Sequence, residues 1–104
     1  MANTKEYVIL LGNKARKRHF HEARKGKVVF FVVQLEIMFE GRWKPVLRYD
    51  LSYGFSHIDR YNLKGIQKKE VLDLPFKEVL TLADMDINEN WQKYKNRFLR
   101  GRYP

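Results

Sequence analysis

Apolar residues occupy alternate positions along residues 28–39, the pattern of a β-strand with one buried face. Every odd position in this stretch from 29 onward is apolar (Val29, Phe31, Val33, Leu35, Ile37 and Phe39). Side chains of a strand point alternately to the two faces of a sheet, so these positions predict a core face. The even positions begin apolar and turn polar at Gln34 and Glu36. We therefore expect the first half of the strand to be covered on both faces and the second half on one.

The sequence Glu40-Gly41-Arg42 predicts a hairpin that returns the chain along a second strand. A three-residue loop places apolar residues opposite each other, pairing Phe39 with Trp43, Leu35 with Leu47 and Val33 with Tyr49. Such matching is what fixes register where one face is buried. On the other face the same register puts Gln34 opposite Arg48. Pro45 cannot donate a ladder hydrogen bond, which indicates a strand end or an edge position there.

Further strands are predicted on both sides of this hairpin. Residues 56–61 form a third strand with His57 and Asp59 on one face, and residues 66–72 a fourth. Residues 4–11 fit either a short strand or a helical turn. The basic residues 14–27 fit either a mobile arm or a strand joined to the next by Lys25-Gly26.

An amphipathic helix is predicted for the C-terminal part of the chain. Asp73 can cap its start, and Gly101 supplies its end. Apolar residues recur at steps of three and four (Phe76, Leu80, Ala83, Ile87, Trp91, Tyr94 and Phe98), which is a helical stripe. Residues 86–90 have weak helix propensity, so a kink or a division into two helices is an alternative.

Together these elements predict an α+β fold in a single domain over residues 1–104. We expect an antiparallel β-meander of about four strands in residues 27–72, with the helical segment 73–101 packed on one face. Residues 1–26 are expected to be a partly mobile basic segment.

Composition excludes several classes of protein. The chain of 104 residues has no cysteine, which excludes disulfides, thiol nucleophiles and thiolate metal sites. The longest apolar run, residues 28–33, is far too short to span a membrane. The N-terminus lacks the basic and apolar regions of a signal peptide. We expect a cytoplasmic protein without membrane contact.

The net charge of +9 is unevenly distributed. Residues 1–27 carry a net +6 and residues 93–104 a net +5, whereas residues 73–92 carry a net −4. Basic ends favour contact with nucleic acid. The candidate contacts lie in the N-terminal segment (Arg16, Lys17, Arg18, His19, His21 and Arg24). A solvated basic loop is the alternative.

Candidate chemistry concentrates around the turn after the second strand. Arg48 and Asp50 share the polar face of Gln34, and His57 and Asp59 join them if the third strand pairs in phase. An arginine fork suits a phosphate, and a histidine beside a carboxylate suits acid–base catalysis. The alternative is a solvated sheet face with cross-strand ion pairs.

A divalent metal held by the histidine and nearby acids is a further alternative for this face. His57 and Asp59 are two residues apart on a strand, and Glu36 or Asp50 would complete the set. One histidine with scattered acids lacks the closed spacing of a zinc motif, so we assign no metal and no cofactor.

The sequence Arg48-Tyr49-Asp50, followed by Gly54 and His57, resembles a group of small uncharacterised prokaryotic proteins. It is also similar to the core of TumE-type toxins of bacterial toxin–antitoxin pairs, which are small, β-rich and basic. The similarity covers residues 30–61, and Asp59 stands where a second histidine would be expected. The resemblance implies a toxin-like role acting on RNA, with an antitoxin-like protein as partner.

Two functions are therefore expected of this chain. The first is an RNA-directed endoribonuclease that needs no metal, with His57 as the acid–base residue, Arg48 stabilising phosphate charge, and Asp50 or Asp59 orienting the histidine. The second is a non-catalytic module that binds nucleic acid or protein. A homodimer formed by a sheet edge near Pro45 is a further alternative.

Overall fold

The computed structural model describes residues 2–52 and 54–104, which form one antiparallel sheet and one helix. The elements are β1 (Ala2–Gly12), β2 (Ala15–Arg24), β3 (Lys27–Phe39), β4 (Arg42–Ser52), β5 (Phe55–Tyr61), β6 (Gln67–Leu72) and α1 (Phe76–Leu99). The strands lie in the sheet in chain order, so each pairs with its neighbour in sequence. The α+β class and the meander are thus confirmed.

The sheet contains six strands rather than about four, because the N-terminal residues form β1 and β2. The expected partly mobile segment is therefore part of the sheet. A two-residue turn joins β2 to β3, with Lys25 at a φ of 51° and Gly26 at 77°. Positive φ at both positions suits the right-handed twist of the strands that the turn connects. The mainly polar composition of residues 14–24 concealed the alternation of β2.

The turn between β3 and β4 has two residues, not three. Glu40 and Gly41 have φ values of 51° and 77°, and Trp43 pairs with Met38 rather than with Phe39. The predicted pairing of Phe39 with Trp43 is therefore wrong by one residue.

A β-bulge corrects the offset within the hairpin. The register shifts between Leu35 and Glu36, where Leu35 pairs with Leu47 and Glu36 with Pro45, leaving Val46 as the extra residue. The predicted pairs from that point onward are confirmed (Leu35 with Leu47, Gln34 with Arg48 and Val33 with Tyr49). Pro45 lies beside this bulge in an interior strand, not at an edge or a strand end, since bulges also tolerate proline.

The helix α1 runs without a break from Phe76 to Leu99. Its weak region is stabilised by packing and by the Asn90 side chain, whose Nδ2 donates to Oδ1 of Asp86 at 2.8 Å. Pro75 occupies the N-cap, and no side chain in the described part of the chain caps the helix, so the predicted role of Asp73 is wrong. The C-terminal end follows the prediction, because Gly101 adopts a φ of 78° just beyond the helix.

The core lies between α1 and one face of the sheet, which we call the helix face. Buried side chains from both sides fill it (Phe31, Val33, Leu35, Ile37, Leu47, Tyr49, Ile58, Val79, Ala83, Ile87, Tyr94 and Phe98 among them). We call the opposite side of the sheet the open face. Val29 and Phe30 remain exposed. The prediction that both faces are covered along the first half of β3 is therefore wrong at the start of the strand. No helix among the described residues is long and apolar enough to cross a membrane.

Candidate functional site

The four predicted catalytic residues lie together on the open face. In the pairing of β4 with β5, Asp50 is opposite His57 and Arg48 is opposite Asp59. Directly opposed residues of an antiparallel pair project to the same side, so β5 returns in phase with β4. The structure thus brings one arginine, one histidine and two acids onto adjacent positions of two strands.

A chain of hydrogen bonds connects Arg48 to the neighbouring strands. Arg48 Nε donates to Oε1 of Gln34 at 2.7 Å, and Gln34 Nε2 donates to Oε2 of Glu36 at 2.6 Å. Arg16 Nε donates to Oε1 of Glu36 at 2.6 Å, and Arg18 Nε lies 3.9 Å from Oε2. Glu36 is buried, and this set of donors satisfies a carboxylate that would otherwise be costly to bury. Gln34 and Glu36 are therefore supports that hold three arginines in place.

Arg48 keeps donors for a further group. Its guanidinium carbon lies 5.9 Å from the centre of the Tyr61 ring, and its Nη atoms make no hydrogen bond to the described part of the chain. A guanidinium held through Nε presents a pair of parallel N–H groups that match two phosphate oxygens. Arg48 is thus arranged as an anion-binding side chain.

The rest of the site is a cluster of four ionisable side chains on β4, β5 and β6, namely Asp50, His57, Asp59 and Lys69. Nδ1 of His57 lies 3.5 Å from Oδ1 of Asp50, and Nζ of Lys69 lies 3.8 Å from Oδ1 of Asp59. Both Oδ1 atoms are buried, and neither accepts a hydrogen bond from any described residue. Burial raises the pKa of Asp50 above its usual value, and the charge of Asp59 raises it further against the opposing effect of Lys69, His57 and Arg48. A carboxyl of raised pKa beside a histidine is suited to proton transfer.

A groove of about 250 Å³ crosses the open face from β1 to β4. Arginines and apolar side chains line it together with the buried polar residues (Glu6, Val8, Arg18, Phe20, Val32, Gln34, Glu36 and Arg48 among them). Arg48 is its member on β4, the strand that also carries Asp50. The groove therefore extends from the edge strand β1 to Arg48.

The six predicted nucleic-acid contacts are divided between the two faces. Arg16 and Arg18 lie on the open face, and Arg24 is exposed at the end of β2, paired with Glu22 at 3.1 Å. Lys17 and His19 face the helix and are only 3% and 4% exposed, so they are not available as surface contacts. Alternation along β2 is the reason, since the odd positions of this strand meet α1.

Lys17 and His19 instead pair with side chains of α1 that the sequence analysis did not identify. Lys17 Nζ donates to Oδ1 of Asn88 at 2.9 Å and lies 3.1 Å from Oδ1 of Asp84. His19 Nδ1 lies 3.6 Å from the same Asp84 oxygen. The segregation of charge, with acids at 73–92 and bases at 1–27, was the signal that could have indicated this pairing.

His19 and His21 form a contact of their own on the helix face. His19 Nε2 and His21 Nδ1 share a hydrogen bond of 2.7 Å, and the Tyr7 ring stacks on His19 at 4.5 Å. Burial lowers the pKa of His19, and the nearby His21 and Lys17 lower it further while Asp84 opposes them. The surroundings of this histidine therefore disfavour its protonated form.

A metal site is not supported by the arrangement of these side chains. Within residues 2–52 and 54–104, no group of three histidines or acids is placed to hold a metal ion. Glu36, one of the acids considered for such a shell, is engaged by Arg16 and Gln34.

Comparison with known proteins identifies a family for the whole chain. Residues 1–104 match the family described as "Domain of unknown function (DUF7718)". No curated protein and no solved structure gives a significant match. Since the match extends over the full length, the chain belongs to the DUF7718 family.

Proposed function

We propose that this protein acts on RNA through its open face, as a toxin-like endoribonuclease centred on His57. The observation that supports the proposal is the register of β4 and β5, which sets Asp50 opposite His57 and Arg48 opposite Asp59. The arginine-lined groove adjoins this cluster and offers a path for a phosphate backbone. A cytoplasmic setting and an antitoxin-like partner belong to the same proposal, through the resemblance to TumE-type toxins.

The proposed reaction is an internal transfer at one phosphodiester. His57 takes the proton of a ribose 2′-hydroxyl, whose oxygen attacks the adjacent phosphorus. The bond from phosphorus to the 5′-oxygen breaks, and that oxygen leaves with the proton that His57 has accepted. Arg48 binds the charge that develops on the non-bridging oxygens. The products are a 2′,3′-cyclic phosphate and a 5′-hydroxyl, so no water is consumed in this step.

One observation favours a second candidate, a non-catalytic RNA-binding module. His57 and Asp59 are only 8% and 1% exposed, which limits their access to a substrate. The arginines of the groove are more accessible, and in this alternative they bind the backbone while the histidine has a structural role only.

Cleavage and binding of a labelled single-stranded RNA distinguish the two candidates. We expect His57→Asn to abolish cleavage but to retain binding, and the matched control His21→Asn, on the helix face, to retain both. Thermal melting of each variant establishes that it is folded. If His57→Asn cleaves as fast as the wild type, the ribonuclease assignment is wrong.

Salt dependence tests the RNA-binding component that both candidates share. Affinity should fall steeply as the salt concentration increases. Arg18→Gln should weaken binding and reduce the slope of log affinity against log salt concentration by about one. A protein that neither cleaves RNA nor binds it in a salt-dependent way would exclude both candidates.

A further inference from the structure

The two edges of the sheet are protected to different extents. β1 is an edge strand of 11 residues that pairs on one side with β2, and no other strand of residues 2–52 and 54–104 pairs with its outer row of N–H and C=O groups. The other edge, β6, has six residues and carries Lys68, Lys69 and Glu70. Short, charged edges resist pairing with other chains, whereas long apolar edges favour it.

The middle of β1 is apolar on both of its faces and accessible. Four consecutive side chains are exposed, Tyr7, Val8, Ile9 and Leu10, and Leu10 is 72% exposed. Helix α1 packs over the interior strands and leaves Tyr7 and Ile9 accessible on the helix face. An extended strand paired with this edge would satisfy the backbone groups and cover these side chains together.

We propose that β1 pairs antiparallel with β1 of a second copy of this chain, about a two-fold axis at Val8. An axis perpendicular to the sheet returns each residue to the same face, so Tyr7 lies opposite Ile9 of the second copy and Val8 opposite Val8. Glu6 then lies opposite Leu10, so no like charges are directly opposed. This matching of apolar with apolar side chains is what sets register in a sheet.

The edge strand β1 is a place where charge does not oppose a second copy. A chain with a net charge of +9 repels its own copies over most of its surface. Lys5 and Glu6 are the only charged residues of β1, and their charges cancel. The copies therefore meet at a strand without net charge.

This pairing joins the open faces of the two copies. Arg18 lies opposite Val8 in the pairing of β1 with β2, so the two Arg18 residues face each other across the axis. Three strand spacings separate them, about 14 Å. The two grooves become one basic surface across a continuous sheet, although the dimer does not depend on RNA being the ligand.

Sedimentation velocity across a dilution series, on nuclease-treated protein at high salt, tests the proposal. High salt dissociates complexes bridged by a polyanion but not an apolar interface. We expect a monomer–dimer equilibrium in the wild type and a dissociation constant raised at least about tenfold by Val8→Lys, which places a charge in the interface. The matched control is Val71→Lys on β6, at a residue that is 62% exposed, and it should dimerise as the wild type does. A wild type that stays monomeric at every concentration, or equal weakening by both substitutions, overturns the proposal.

Single cysteines provide a second test, because the chain has none of its own. Directly opposed residues of antiparallel strands have Cα atoms about 4.5–5.5 Å apart, within the range that a disulfide spans. Under mild oxidation Val8→Cys should form a covalent dimer faster than Val71→Cys. Equal rates for the two variants would contradict pairing at Val8. Thermal melting confirms that each variant is folded.

Discussion

Tyr49 in strand β4 donates a hydrogen bond of 2.5 Å to Oδ2 of Asp86 in helix α1. The other carboxylate oxygen accepts from Tyr94 at 2.5 Å and from Asn90 at 2.8 Å. Burial and the hydrogen bonds to Asp86 together raise the pKa of both tyrosines, that of Tyr94 to about 12, so both hydroxyls remain donors at neutral pH. Because side chains alternate along a strand, anchoring Tyr49 to the helix directs Arg48 towards the open face.

Removing the hydroxyl of Tyr49 should destabilise the protein. We expect Tyr49→Phe to lower the free energy of unfolding by about 1–2 kcal/mol, because Asp86 loses a donor in a partly buried position. Urea denaturation followed by circular dichroism measures the change. Tyr61→Phe, on the opposite face, leaves Asp86 untouched and is the control, and an equal loss in the two variants would argue against a special contribution of Tyr49.

The close approach of Gly12 and Trp91 should make Gly12 intolerant of a side chain. A Cβ atom at position 12 would lie 2.8 Å from Cη2 and 3.4 Å from Cζ3 of Trp91. Gly12→Ala should therefore cost about 1–3 kcal/mol of stability through overpacking. In a Trp91→Leu background, where the ring is absent, the same substitution should cost much less. An equal cost in the two backgrounds would show that the ring is not the cause.

Stability should fall as the solution becomes acidic, through His19. Its pKa in the folded protein is lowered, chiefly by burial, below the value of about 6.5 for an exposed histidine. The unfolded chain therefore binds the proton more readily, and stability that is full above about pH 6.5 is lost progressively below it. Melting temperatures between about pH 7.5 and about pH 5.5 measure this loss.

The matched variant for the pH experiment is His19→Gln. Its melting temperature should depend less on pH over the same range, even if it is lower throughout. A dependence as steep as that of the wild type would assign the effect to other groups.

The charge of Asp59 should influence the ionisation of Asp50 on the open face. Asp59 contributes to the raised pKa of Asp50, so Asp59→Asn should lower the pKa of Asp50 by removing a like charge. Lys69→Met should raise it, because Lys69 opposes the shift. Titration of the Asp50 carboxyl carbon by NMR measures both changes. Shifts of the same sign in the two variants would contradict this electrostatic account.

Local periodicity predicted much of the fold. The alternation in residues 28–39 located β3, and the apolar match between Leu35 and Leu47 gave the register that β4 adopts beyond its bulge. The helical stripe located α1, because apolar residues at steps of three and four define one side of a helix. These features depend on residues near each other in sequence, which is why the sequence revealed them.

Other parts of the fold lacked a local signal. The polar residues of β2 become a strand because β3 offers a partner and because α1 neutralises Lys17 with Asp84, 67 positions further along the chain. The two-residue turn between β3 and β4 and the bulge at Val46 were also not predicted. A two-residue turn and a three-residue turn are almost indistinguishable in this sequence.

The sequence by itself determined which residues of the candidate site share a strand and a face of the sheet. Side chains alternate along a strand, so Arg48 lies on the same face as Asp50, and His57 on the same face as Asp59. Only the tertiary structure decided that the two pairs face each other, because the register of β5 on β4 is a relation between strands. It also decided that Lys17 and His19 are buried, because their exposure depends on where α1 packs. The direction of a side chain is a local property of the backbone. Its burial and its partner on the neighbouring strand are properties of the assembled sheet and helix.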